Sequence, residues 1–319
     1  MGGTEECQQS TQQYHLVDFK PDVLILIDYP GFNLRMAEFT KENLNIPVFY
    51  YISPKLWAWK EYRIKSIKKF VDKMYTIFPF ETVFFAKHNY QVEYVGNPSV
   101  DSISNRPNKH QTVEEFTQKN NISPKPIIAI LAGSRKQEIS ACLPRMIESA
   151  QRFDDYQAVI GGAPGIDPEF YQSLVQNNQV HIVFGQTYDL LQHAKAAIVN
   201  SGTATLETAL IGTPQVVVYH VILGRIAYAI KDWFIKVKFF SLVNLVAQKE
   251  VVKELVAHLF TVDNVSHELD KILHNSDYRE NMLHEYAEMK KEFGEHNAAL
   301  NTAKKMQEDL LRFKKQVQS

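Results

Sequence analysis

Short runs of β-branched and aromatic residues alternate with stretches of helical periodicity along most of the chain. Several runs are apolar without alternation, as strands buried on both faces of a parallel sheet are. Strands are predicted at Val23 to Ile27, Val48 to Ile52, Met74 to Phe78 and Val92 to Val95. A second set follows at Ile127 to Leu131, Ala158 to Ile160, His181 to Phe184, Ala196 to Val199 and Gln215 to Tyr219. Alternation of such strands with helices is the signature of βαβ units, so an α/β fold in two lobes is expected. After Leu131, residues Ile139, Cys142, Leu143, Met146, Ile147, Ala150 and Phe153 recur at helical spacing and make one apolar face. Ser134 and Gln137 offer that helix a capping box. A polar, proline-bearing stretch between the two sets suits a linker with a short helix. The charged segment from about Tyr278 to Val317 reads as two helices broken at Gly294. The expected division is 1–100, a linker at 101–126, a second lobe at 127–285 and C-terminal helices at 286–319.

Composition changes this picture little. The 319 residues are 45% hydrophobic and 22% charged, with net charge -1, which excludes a disordered, collagenous or disulfide-scaffold chain. A near-neutral balance gives no reason to expect nucleic acid as a partner. Cys7 and Cys142 lie far apart without metal-ligand spacing, so neither a disulfide framework nor a zinc site is expected. The apolar runs fall far short of the roughly 18 residues that suggest a membrane span, and the first residues carry no apolar signal core. A soluble, cytoplasmic protein is expected.

Three segments carry candidate chemistry. Asp28 ends the first strand just before a Pro-Gly turn, at the strand edge where open α/β sheets bind ligands. It can serve as a general base if burial raises its pKa, or it can simply accept hydrogen bonds from its own turn. In LAGSRKQE, Gly133 and Ser134 occupy a strand-to-helix turn with Arg135 at the helix start. Backbone amides, helix dipole and guanidinium together suit a phosphate or diphosphate; an ordinary capped turn is the alternative. The unit AAIVN-SGT-ATLETALI-G-TP-QVVVY supplies a second such turn at Ser201, Gly202 and Thr203. Glu207, about one turn into its helix, can accept from a ribose diol or merely complement the helix dipole. Two anion-binding turns in one lobe favour a nucleotide diphosphate.

Two basic, aromatic-rich stretches remain. One carries Lys55, Lys60, Arg63, Lys65, Lys68, Lys69 and Lys73; the other mixes Arg225, Lys231, Lys236 and Lys238 with Trp233, Phe234, Phe239 and Phe240. They suit an anionic membrane surface or phosphorylated lipid, or else are solvated helix faces with their apolar side in the core. Metalloprotease, thiol-protease, serine-hydrolase and Walker patterns are absent from the sequence.

In order along the chain, DYPGFN, YYISPKLWAWKEYRIKSIKKFVD, PFE, YVGNP, LAGSR, VNSGTATLETALIGTPQVVVY and FSLVNLVAQKEVVKEL resemble the lipid-A-disaccharide synthase family, from Pro21 to about Leu300. The resemblance implies a GT-B glycosyltransferase of two Rossmann-like lobes. Its members transfer a 2,3-diacylglucosamine unit from UDP to the 6-hydroxyl of 2,3-diacylglucosamine 1-phosphate, with inversion and with neither metal nor other cofactor. By position, Asp28 matches the candidate base, and Gly133, Ser134 and Arg135 would hold the diphosphate. Ser201, Gly202, Thr203 and Glu207 would bind phosphate and ribose, and Asn244 would be a polar group at the cleft. Tyr51, Ser53 and Trp57 fall on the acceptor side. The partners implied are both lipid substrates and the inner membrane face, to which the protein would be peripheral, with a homodimer as a further option. The family's opening Gly-Glu-x-Ser-Gly-Asp loop has no counterpart, so an incomplete first lobe with a bare strand edge is expected. Two competing readings are a non-catalytic remnant that binds UDP-sugar or membrane, and a sugar-nucleotide epimerase on the same architecture.

Overall fold

The computed structural model describes residues 12–56, 63–175, 180–220, 239–294 and 297–318. The chain forms two compact units, one of residues up to Asp101 together with those from Phe293 onward, the other of Ser102–Glu292.

In the first unit β1 (Leu24–Ile27), β2 (Val48–Tyr51), β3 (Lys73–Thr76) and β4 (Glu93–Tyr94) make a parallel sheet in the order β1-β2-β3-β4. Connections run through α1 (Pro30–Asn43), α2 (Ile64–Phe70) and α3 (Pro79–Lys87), and α4 (Pro98–Ser104) leads out of the unit. Val48, Tyr50 and Met74 on one sheet face pack with Ala37, Ile67 and Phe85. On the other face, Phe49, Tyr75 and Val95 are covered by Met306, Leu310 and Phe313 of the C-terminal helix (Ala298–Gln318). That helix brings a buried carboxylate, Asp309, which accepts from the Tyr75 hydroxyl at 2.9 Å and pairs with Lys73 at 3.3 Å. Its start is held by Asp101, whose two carboxylate oxygens accept from the backbone amides of Asn297 and Ala298 at 2.6 and 2.7 Å. Gly96, at φ +99°, allows the approach: a Cβ there would lie 3.1 Å from the Ala298 Cα. Among the described residues β1 pairs only with β2, leaving its outer edge bare, with Ile25 44% and Ile27 58% exposed.

The second unit holds β5 (Ile127–Leu131), β6 (Gln157–Gly162), β7 (His181–Phe184), β8 (Ala194–Asn200), β9 (Gln215–Tyr219) and β10 (Glu254–Val256). All neighbours are parallel, in the order β10-β9-β8-β5-β6-β7. Its helices are α5 (Val113–Lys119), α6 (Lys136–Ala150), α7 (Pro168–Val175), α8 (Thr187–His193), α9 (Thr203–Ile211), α10 (Leu242–Ala247), α11 (Val262–His274) and α12 (Ser276–Glu292). The predicted apolar face of α6 is buried from Ile139 to Ala150. Each of its large side chains contributes roughly 1.5–3 kcal/mol.

Differences from the sequence reading have local causes. The stretch 101–126 is more than a linker, since α5 has its own Thr112–Glu115 capping box and Phe116 and Ile122 join the core of β5. Residues 286–319 do not stand apart: α12 stays with the second unit, Gly294 turns at φ +69°, and the C-terminal helix returns to the first. The short β10 was not expected, its three residues being too few to show a pattern.

Candidate functional site

The strand order of the second unit creates a switch point. From β5 the chain proceeds through β6 to β7 on one side; from the adjacent β8 it proceeds through β9 to β10 on the other. Ligands of open α/β sheets bind beyond the carboxyl ends of such a pair. The two turns leaving these strands are Gly133–Arg135 and Ser201–Thr203, so the fold brings both predicted anion turns to one edge.

Gly133 takes φ +116°, and a Cβ there would come within 2.7 Å of Asn200 Nδ2 and 2.9 Å of Glu138 Oε2. Glycine is therefore required twice, for conformation and for space. The expected Ser134–Gln137 box does not form. Arg135 is the N-cap residue of α6, and Glu138 reaches back, accepting from the Ser134 amide at 3.3 Å and the Arg135 guanidinium at 2.5 Å. The Arg135 side chain is 77% exposed. The Tyr219 phenol is raised by burial and then by the Glu138 charge, and pulled back by Arg135.

At the β8–α9 turn, the Ser201 hydroxyl donates to the Phe240 carbonyl at 3.3 Å. Gly202 and Thr203 are exposed at the start of α9, and the Thr205 hydroxyl donates back to the Gly202 carbonyl at 2.8 Å. Glu207 is half-buried and hydrogen-bonds the Tyr188 hydroxyl, which burial and the Glu207 charge hold well above the ordinary phenol range. Gly212 closes α9 at φ +97°.

Asn244 departs from its expected place at a cleft. It is fully buried; its Nδ2 donates to the Val252 carbonyl and Glu254 Oε1, and its Oδ1 accepts from the amides of Val251 and Val252. Glu254 also accepts from the amides of Phe240 and Ser241. A polar side chain surrounded by apolar groups must satisfy its hydrogen bonds internally, and here that need makes Asn244 the brace of its loop.

In the first unit, Asp28 and Tyr29 at the end of β1 both take left-handed backbone, φ 46° and 42°, and Ile52 after β2 does so at 64°. For a β-branched residue that is an outlier. Strain gathered at one sheet edge marks functional sites more often than chance, each residue costing on the order of 1–3 kcal/mol. The Asp28 carbonyl accepts from Asn33 Nδ2 at 2.5 Å and from the Tyr50 hydroxyl at 2.6 Å. Its carboxylate is left without a hydrogen-bond partner among the described residues, and Asp28 is exposed. The turn thus grips its main chain and leaves its side chain exposed. Tyr51 is half-buried against the C-terminal helix, and Ser53 is buried with its hydroxyl donating to Pro54 O at 3.0 Å; both serve packing. Trp57 lies outside the described residues.

Of the basic stretches, α2 buries Ile64, Ile67 and Phe70 and exposes Lys65, Lys68 and Lys69, the solvated-face alternative. Lys60, Arg225, Lys231, Trp233, Phe234, Lys236 and Lys238 lie outside the described residues. No described helix is long and apolar enough to cross a membrane, and no group of three or more His, Cys, Asp or Glu among the described residues could hold a metal ion. Sequence reasoning passed over Glu138, Tyr188 and Asn200. Glu138 sat in view within LAGSRKQE, whereas Tyr188 and Asn200 reach the site only through the sheet order.

Two parallel-sheet α/β units, the second wound in the Rossmann order with both predicted anion turns at its switch point, make the fold that GT-B glycosyltransferases and UDP-sugar epimerases share. The fold matches the UDP-GlcNAc 2-epimerase from Neisseria meningitidis bound to UDP-GlcNAc, with TM-score 0.61, 17% identity and coverage of 95% of this chain and 80% of that one. It also matches the calicheamicin glycosyltransferase, with TM-score 0.52, 15% identity and coverage of 95% and 76%. At such identities the likeness shows the fold alone. Sequence decides further: the family described as lipid-A-disaccharide synthetase matches residues 4–306. The lipid-A-disaccharide synthase of Myxococcus xanthus is 38% identical over 296 residues, covering 91% of this chain and 76% of its own length. The chain belongs to the lipid-A-disaccharide synthase family, whose members are glycosyltransferases of lipid A biosynthesis.

Proposed function

We propose that the protein transfers a 2,3-diacylglucosamine unit from its UDP derivative to the 6-hydroxyl of 2,3-diacylglucosamine 1-phosphate, forming the β-1,6 disaccharide 1-phosphate and UDP. The observation that carries this reading is the convergence of two anion turns on the β5/β8 switch point in a chain of this family. The acceptor oxygen attacks the anomeric carbon from the face opposite UDP, the bond from that carbon to the diphosphate oxygen breaks, and Asp28 takes the hydroxyl proton. Its exposed carboxylate on a firmly held main chain suits that task. Arg135, the Gly133–Ser134 turn and the Ser201–Thr203 turn stabilise the charge that grows on the leaving diphosphate, and Glu207 accepts from the ribose hydroxyls. Asn244 acts indirectly, by bracing its loop. Membership of this family favours work at an anionic membrane face, with the protein peripheral to the inner membrane on its cytoplasmic side.

Calorimetric titration with UDP tests the nucleotide half. Saturable binding is expected, weakened about tenfold or more by Arg135→Ala; no binding, or an indifferent variant, removes the assignment. A coupled assay with both lipid substrates tests the rest: UDP binding without disaccharide formation would leave a nucleotide-binding protein instead of a transferase.

A further inference from the structure

The Tyr188 hydroxyl donates to the Glu207 carboxylate across the seam between α8 and α9, with both side chains half-buried. The stretch that carries Tyr188 is fastened before and after it. Gln186 exchanges side-chain hydrogen bonds with Asn120, at 2.8 and 3.4 Å. The buried Asp189 accepts from Asn108 Nδ2 at 2.7 Å, and the Leu191 carbonyl accepts from the Thr213 hydroxyl at 2.6 Å, which ties α8 to the turn after α9. A phenol on so fixed a stretch holds what it binds in one place. Glutamate is the opposite case, a long side chain whose rotamer freedom a ligand must otherwise remove on binding. A hydroxyl that donates to a carboxylate makes a charge-assisted bond, stronger than a neutral one. It takes one of the roughly four acceptor positions of such a group, so a carboxylate held by a phenol is still able to accept from a sugar hydroxyl.

We propose that Tyr188 is a positioning residue of the nucleotide site: its hydroxyl fixes the Glu207 carboxylate in the orientation that accepts from the ribose hydroxyls, and so sets the preference for a ribonucleotide over its deoxy counterpart. This rests on the reading that Glu207 takes the ribose of a nucleoside diphosphate. Tyr188 acts through Glu207, by meeting the ordering cost of the glutamate before the ligand arrives. Burial and then the Glu207 charge hold the phenol above its ordinary range, so it stays a donor as pH rises through neutrality. A bond that merely joined α8 to α9 would have a different signature. Its loss would loosen the unit and weaken every nucleotide alike, whereas a misplaced carboxylate weakens only the ligand whose hydroxyls it reads.

The full chain is titrated with UDP and, separately, with 2′-deoxy-UDP, and the ratio of the two dissociation constants is read. The unaltered chain is expected to prefer UDP about tenfold, and Glu207→Ala to lose that preference. Tyr188→Phe keeps the packed ring and removes only the hydroxyl; it is expected to shrink the preference about threefold or more, with 2′-deoxy-UDP bound nearly as before. In the Glu207→Ala background the same change is expected to do nothing further, because the two residues act as one. Tyr188→Met, which fills the space without a donor, carries the same comparison where the phenylalanine variant does not fold. A Tyr188 variant that weakens both nucleotides equally, or neither, overturns the proposal and leaves the nucleotide reading intact. UDP binding with no preference, or a preference that Glu207→Ala keeps, removes Glu207 from the ribose and the proposal with it. No binding of UDP overturns the nucleotide reading itself, and Tyr188 then has nothing to position.

Discussion

Asp28 illustrates how a side chain is made available by fixing the backbone beneath it. Asn33 and Tyr50 both donate to its carbonyl, so the left-handed turn at the end of β1 persists although Tyr29 is strained as well. Asp28→Asn keeps the shape and removes the proton acceptor. The expected result is loss of turnover by about two orders of magnitude or more with UDP affinity unchanged, read as a split between kcat and the UDP dissociation constant. Gly133 is the opposite case, a residue whose value lies in having no side chain. Gly133→Ala forces a Cβ against Asn200 and Glu138 at a positive φ. A loss of about 1–3 kcal/mol in urea denaturation is expected, together with weaker UDP binding. The sequence showed the glycine and the arginine because each belongs to a local pattern. It did not show that Asn244 is a brace, since burial is a property of what surrounds a residue, and Asn244 is satisfied by Glu254 and the backbone of Val251 and Val252.

At the scale of elements, the strands were legible because parallel strands buried on both faces are written as unbroken apolar runs, and α6 because its apolar positions recur at 3.6 residues. The end of a helix depends on finer competition. Ser134 was expected to cap α6, but Glu138 reaches the Ser134 amide and moves the cap to Arg135. The C-terminal helix shows a cap supplied from far along the chain. Asp101 takes the amides of Asn297 and Ala298, a contact that no local motif announces. Asp101→Ala is expected to cost about 0.5–2 kcal/mol, seen as a lower Tm and as earlier proteolytic release of residues 297–318.

For the molecule as a whole, the class of fold was readable and the path of the chain was not. Strand order and the return of the last helix are set by long-range packing, here of Met306, Leu310 and Phe313 on Phe49 and Tyr75. The pH response of stability is likewise a property of the whole. Burial holds the His193 imidazole below its ordinary value, against the opposing pull of Asp189. With its pKa lowered on folding, the unfolded chain binds more protons as pH falls through about 6.5, so this contribution is full above that value and declines below it. Denaturation at about pH 7.5 and about pH 5.5 should show a smaller loss in His193→Asn than in the unaltered chain.

The return of the C-terminal helix to the first unit has a consequence for synthesis on the ribosome. About 190 residues separate Asp101 from Phe293. At typical elongation rates they take on the order of ten to forty seconds to emerge. During that interval the second unit can complete itself, while the face of Phe49, Tyr75 and Val95 waits uncovered. Lys73 likewise waits for Asp309. The unit that begins first is finished last, and its unshielded aromatic face is where a nascent-chain chaperone would be needed.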